Sequence, residues 1–105
     1  MKRTKSFHKS LMKALKNPAE ASEYLNAVIK EGDSILLLDA LRDVAKAQGG
    51  MAKLSRQTKM NRGNLYKMLS KHGNPGIQSV ESVLKVFGLR LAVVPDHSTH
   101  FQRAA

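Results

Sequence analysis

Leu54-Ser55-Arg56-Gln57-Thr58-Lys59-Met60-Asn61-Arg62-Gly63-Asn64-Leu65-Tyr66-Lys67-Met68-Leu69 is the stretch that decides the fold. Leu65, Met68 and Leu69 fall at i, i+3 and i+4, the spacing of one helix face. Asn61, just ahead of them, carries a side-chain oxygen suited to the first free N–H groups of that helix. The pattern predicts a helix over 62–69 and, before Lys59-Met60-Asn61, a second one over 51–58. Leu54, Met60, Leu65 and Met68 are the positions whose burial would fix the angle between the two. Arg62, Gly63, Asn64 and Tyr66 would then open the outer face of the second helix.

Outward from this pair the chain is predicted to be almost wholly helical. His72-Gly73-Asn74-Pro75-Gly76 breaks the pattern, and a helix over 77–87 follows with Ile77, Val80, Val83, Leu84 and Phe87 on its apolar side. Upstream, Gly49-Gly50 ends a helix over 34–47 that Asp33 can cap. Its first half (Ile35, Leu36, Leu37, Leu38, Leu41) is apolar nearly all round, which places it centrally in the core. Asn17-Pro18 opens a helix over 18–30, with Glu20 where a capping box would have it. That helix buries Tyr24, Leu25, Val28 and Ile29 and stops at Gly32. Phe7, Leu11 and Leu15 recur every four residues opposite Lys5, Lys9, Lys13 and Lys16, so 5–16 reads as an amphipathic helix with one basic face.

Charge is distributed unevenly. Residues 1–17 carry six basic groups (Lys2, Arg3, Lys5, Lys9, Lys13, Lys16) and no acid. Residues 18–43 hold Glu20, Glu23, Glu31, Asp33, Asp39 and Asp43 against only Lys30 and Arg42. From 44 to 80 there are seven basic residues and no carboxylate. Ordinary solvated surfaces mix their signs, so the last stretch reads as a phosphate-facing surface. The net charge of +10 over 105 residues points the same way, to a polyanionic partner with nucleic acid first.

The paired short helices have the grammar of a helix-turn-helix, in which the second helix presents its first turn to the major groove. Arg pairs bidentately with guanine and Asn with adenine, so Arg62 and Asn64 are expected base readers, with Tyr66 and Lys67 as base or phosphate contacts and Asn61 and Gly63 in the same DNA-binding set. Lys53, Arg56, Lys59 and Lys71 are expected to hold phosphates, which orient the protein without specifying sequence, and Gln57 belongs to the same DNA-binding set. Residues 50–88, including Asn74-Pro75 and the ending Phe87-Gly88-Leu89, resemble the lambda-repressor-like helix-turn-helix family. Lys59 departs from it: the family usually has Gly in the turn, and a Lys there must adopt positive φ.

A narrower resemblance covers most of the chain. Ala21-to-Gly32 (ASEYLNAVIKEG), the block LRDVAKAQGGMAKLSRQTKMNRGNLYKMLS and the ending GNP…VLKVFGLRLAVVP look like the probable addiction-module antidote proteins. Members are similar in role to higA-type antitoxins. The resemblance implies a protein that binds its own operator as an autorepressor and neutralises a small toxin, typically a RelE-like ribonuclease. The basic N-terminal segment looks like an addition peculiar to this sequence. RelE-like toxins are usually basic, so the acidic stretch, through Glu20, Glu23, Tyr24 and Glu31, is the expected toxin contact; its acids otherwise pair with the lysines of 5–16.

Leu89–Val94 alternates apolar residues, with Leu89, Leu91 and Val93 on one side, and reads as a strand closed by Pro95. A lone strand has bare edges that invite a second copy, which predicts a homodimer. The expected fold is thus mainly α: a lambda-repressor-like helix-turn-helix bundle of five to six helices with one C-terminal β-strand, paired in a dimer. Its expected division is an N-terminal arm (1–17), a DNA-binding domain (18–95) and a flexible polar tail (96–105).

Other readings stay open on the residues alone. The lysine face of 5–16 is a solvated surface, a contact with DNA or an anionic membrane, or a transit-peptide mimic. Lys in place of Arg, and direct continuation into a capped helix, argue against the mimic. A phage-type repressor without a toxin, or a nucleoid-type binder, would share the same helices. An enzyme such as a basic nuclease lacks candidate acid–base or nucleophile groups. The absence of Cys excludes disulfides and thiolate chemistry. His97 and His100 are too few for a metal site, so no cofactor is expected. No apolar run suits a membrane span, and a cytoplasmic location is expected.

Overall fold

The structure is a computed structural model that describes residues 3–97, which form six helices: α1 (Lys5–Ala14), α2 (Pro18–Glu31), α3 (Ser34–Ala47), α4 (Gly50–Thr58), α5 (Arg62–Met68) and α6 (Ile77–Val86). The expected tail and His100 fall largely outside the described residues. Local caps explain where the helices start. Asn17 Oδ1 accepts from the Ala19 N–H at 2.8 Å, and Asp33 Oδ1 accepts from the N–H groups of Ile35 and Leu36 at 2.9 and 3.2 Å. The capping box at Asn17 is one-sided, because the Asn17 N–H already donates to the Ala14 carbonyl.

Two helices organise the packing. α3 lies against α1, α2 and α4, and α4 in turn against α5 and α6. The core joins Leu15, Leu25, Leu38, Leu41, Val44, Leu54, Leu65, Leu69, Val83 and Phe87. α3 is central as expected, but through its second half. Leu38, Ala40, Leu41, Val44, Ala45 and Ala47 are buried, whereas Ile35 and Leu36 remain almost half exposed. The reason is geometric: the first turn of α3 follows directly on the Gly32-Asp33 connection from α2, at the rim of the bundle and outside the core. The same rim leaves Ile29 exposed, against the expectation that it is buried.

The N-terminal helix is shorter than expected, ending at Ala14, so Leu15 is inserted in the core from the turn that follows. Phe7, expected on the buried side, is exposed, and Leu11 is half-buried. Ile77 also departs from expectation; it lies in the first turn of α6 and is exposed.

No strand forms among the described residues, which corrects the expected strand over 89–94. The sequence after α6 is first used to close that helix. Gly88, at φ 81°, lets its own N–H reach the Lys85 carbonyl (3.0 Å) and the Leu89 N–H reach the Leu84 carbonyl (2.8 Å). This is a Schellman closure, so Leu89 is bonded to the helix and is not free to start a ladder. Beyond it Leu91, Val93 and Val94 are exposed, and a single chain offers them no strand to pair with. No helix of the described residues is long and apolar enough to cross a membrane.

Candidate nucleic-acid interface

α4 and α5 are joined by a turn that side chains hold from within. Ser55 Oγ donates to the Met60 carbonyl at 2.6 Å. Thr58 Oγ1 donates to the Leu54 carbonyl at 2.7 Å and accepts from the Met60 N–H at 3.2 Å. Lys59 between them has φ 61°, the one positive φ on a residue other than Gly among the described residues. The turn therefore keeps its left-handed residue even with a β-carbon there. Asn61 Oδ1 accepts from the Asn64 N–H at 3.2 Å and starts α5 as expected. Leu54 and Leu65 are fully buried, and Met60 and Met68 are half-buried; together they set the angle between the helices.

The far end of α5 is held from α3. Arg42 donates through Nη1 to the Leu69 carbonyl and through Nη2 to Asp39 Oδ1 at 2.8 Å. Ser70 Oγ donates to the Lys67 carbonyl at 2.7 Å. The chain then turns so tightly that a β-carbon on Gly73 would stand 1.9 Å from the Met68 carbonyl oxygen. Only glycine fits there. Cap, core leucine and arginine thus fix α5 at its start, middle and end.

This places Arg56, Gln57 and Lys59 on the end of α4 and its turn, and Asn61, Arg62, Gly63, Asn64, Tyr66 and Lys67 along α5, all exposed. Lys71 is exposed just beyond, and Lys53 is half-buried with its stem against Gly49. None of the basic residues in this set has an ion-pair partner among the described residues. Of the set, Asn61 has its oxygen committed to the cap, so what it can offer outward is its amide N–H.

The acidic stretch is used differently. Asp33 is a cap, Asp39 pairs with Arg42, and Asp43 is buried. Arg3 Nη2 meets Asp43 Oδ2 at 2.5 Å, and the Tyr24 hydroxyl donates to the same oxygen at 2.7 Å. Burial pushes the Asp43 carboxyl up, but hydrogen bonds from Arg3 and Tyr24 outweigh this and hold it below the usual carboxylate range. Burial first, then the bond to Asp43, pushes the Tyr24 phenol up to about 12. Glu20, Glu23 and Glu31 are exposed and form no ion pair among the described residues, so no lysine of α1 neutralises them. Their spacing puts them on one face of α2.

Arg42 and Asp43 are functional supports that the sequence alone does not single out. Both sit within a run of core positions (Leu41, Val44, Ala45), where a charge requires a partner. That placement is the signal by which they could have been found. Among the described residues no three His, Cys, Asp or Glu side chains gather as a metal site.

A small, mainly helical protein built round a helix-turn-helix unit, cationic on its outer side, is the class these features define. The family of the chain is more specific. It belongs to the family described as "Probable addiction module antidote protein", whose profile matches residues 4–95. That span includes α1, so the segment expected to be an addition to this sequence lies within the family's match. An uncharacterised protein of Haemophilus influenzae is similar, at 37% identity over 79 residues, covering 75% of this chain and 80% of the relative. No solved structure matches the chain. Membership of an antidote family implies a toxin partner of some kind.

Proposed function

We propose that the protein is a sequence-specific DNA-binding antitoxin of the higA type, which represses its own operon and neutralises a small RelE-like toxin. The observation that carries the DNA reading is the acid-free outer surface of α4, the turn and α5, with Arg62 and Asn64 exposed on the first turn of a helix fixed at both ends. A base-reading helix needs such fixity, since a bidentate contact tolerates little play. Lys53, Arg56, Lys59 and Lys71 flank it as phosphate contacts. Two copies, joined through Leu91 and Val93, would read a pseudo-palindrome with half-sites about 34 Å apart. Exposure of Leu91, Val93 and Val94 favours this pairing.

The toxin is assigned to the exposed acidic face of α2, with Glu20, Glu23 and Glu31, and to the apolar rim at Ile29, Ile35 and Leu36. Tyr24, engaged with Asp43, acts there as a support. The test of the DNA reading compares a duplex selected from a random pool with the unselected pool. Arg62→Ala and Asn64→Ala are expected to lose about 1–3 kcal/mol on the selected duplex and to blur its preference, whereas Lys53→Ala weakens both duplexes alike. Equal losses on both duplexes for all three variants would overturn the assignment of α5 as the reading helix.

A further inference from the structure

We infer that the C-terminal end of α1 is a second DNA-backbone contact, in which Lys13 and Lys16 extend the phosphate-binding surface of the helix-turn-helix unit. The inference rests on the DNA-binding reading above and goes beyond it by giving the basic N-terminal helix a ligand: the sugar-phosphate backbone of duplex DNA flanking the bases that α5 reads.

A chain of contacts leads from one element to the other. Gln48 Nε2 donates to the Leu15 carbonyl at 3.1 Å, and Leu15 is itself buried in the core. This seats the end of α1 on the junction between α3 and α4. The next residue, Gly49, lies against the stem of Lys53, close enough that a β-carbon there would come within 2.6 Å of Lys53 Cδ. Leu15, Gln48, Gly49 and Lys53 are thus in continuous contact, and Lys16 follows Leu15 directly. Lys46, exposed on the last turn of α3, lies two residues before Gln48. Lys13 and Lys16 are exposed, have no ion pair among the described residues, and meet no carboxylate along this path.

The other end of α1 is held as well. Arg3 binds Asp43, and Asp43 follows Arg42, which holds α5. Consecutive residues of α3 therefore set the positions of the basic helix and of the reading helix. A cationic surface built on one rigid element suits a stiff polyanion. An anionic membrane fits less well, because an interfacial helix must offer its apolar face to lipid. Here Leu11, Met12 and Leu15 on that face pack against the core.

The experiment uses the full chain and a random-sequence DNA duplex, because backbone contacts need no particular sequence. Affinity is measured over a salt series for the wild type, for Lys13→Ala/Lys16→Ala, and for Lys30→Ala on α2 as control. The double variant is expected to bind several-fold more weakly and to flatten the log–log salt slope by about 2, since each phosphate left without its lysine removes about 0.9. Lys30→Ala leaves the slope in place. Both lysines are exposed, so the variant is expected to fold; circular dichroism verifies it. A double variant with the wild-type slope overturns the inference while the DNA reading stands. Wild-type protein that binds no duplex overturns both. Loss of binding to phosphatidylserine vesicles with duplex binding unchanged would overturn the inference in favour of a membrane contact.

Discussion

Arg42 donates to the main-chain carbonyl of Leu69, joining the middle of α3 to the closing end of α5. The same guanidinium also meets Asp39 one turn back on its own helix. The two bonds differ in worth. An exposed i,i+3 ion pair is screened by water, whereas a cation on a helix-end carbonyl satisfies a group that the helix itself cannot.

Arg42→Ala is therefore expected to lower the unfolding free energy by about 1–2 kcal/mol, and Asp39→Ala by less than about 0.5 kcal/mol. Urea denaturation of the two variants checks this. Equal losses would place the value of Arg42 in the ion pair.

Lys59→Gly should separate stability from binding. A left-handed residue with a β-carbon costs about 1 kcal/mol that glycine escapes. The variant is expected to be more stable than the wild type by up to about that amount, yet to bind duplex DNA more weakly for want of a cation. A fall in its midpoint of thermal unfolding would contradict the first half.

The Arg3–Asp43–Tyr24 cluster gives a pH dependence on both flanks. Asp43 is held below the usual carboxylate range in the folded chain, so its contribution is present above the unfolded carboxylate pKa and lost as pH falls through the folded value. Tyr24 titrates near 12 when folded, against an ordinary value of 10.0, so its share is present below 10 and lost as pH rises towards 12. The stability gap between wild type and Asp43→Asn should close in acid, and Tyr24→Phe should lack the alkaline share. A gap independent of pH would show that Asp43 is not held as an anion.

Leu91→Pro is expected to give a folded monomer, because proline removes a donor from the middle of any ladder between two copies. Sedimentation measures it. A variant that still travels as a dimer moves the interface elsewhere, with the exposed rim at Ile35 and Leu36 the next surface to test.

Glu20→Lys/Glu23→Lys should slow association with a RelE-like toxin of the proposed kind, while affinity for duplex DNA holds or rises. Stopped-flow mixing resolves the two rates. An unchanged association rate would remove the acidic face of α2 from the toxin contact.

Helix positions were legible because caps and breakers act locally: Asn17, Asp33 and Asn61 each bond the N–H groups that their place in the chain implies. The left-handed turn at Lys59 was legible only through the family resemblance, which usually has Gly at that place. Burial was less so, since Ile29, Ile35 and Ile77 have core chemistry but lie at helix ends where no neighbour reaches. The expected strand failed on a similar point: alternation in Leu89–Val94 describes a ladder only if a second strand exists. In the candidate site the exposed basic residues could be named from the chain, because exposure needs no partner. Arg42 and Asp43 could not, because their roles depend on Leu69 and Arg3, far away in sequence.

α1 buries none of its own ten residues completely; the first buried side chain, Leu15, comes after its last turn. Its amide protons are therefore expected to exchange with solvent faster than those at Val44 and Leu65, which lie in the core. α1 is thus carried chiefly by its two flanks, Arg3 on Asp43 before it and Leu15 in the core after it.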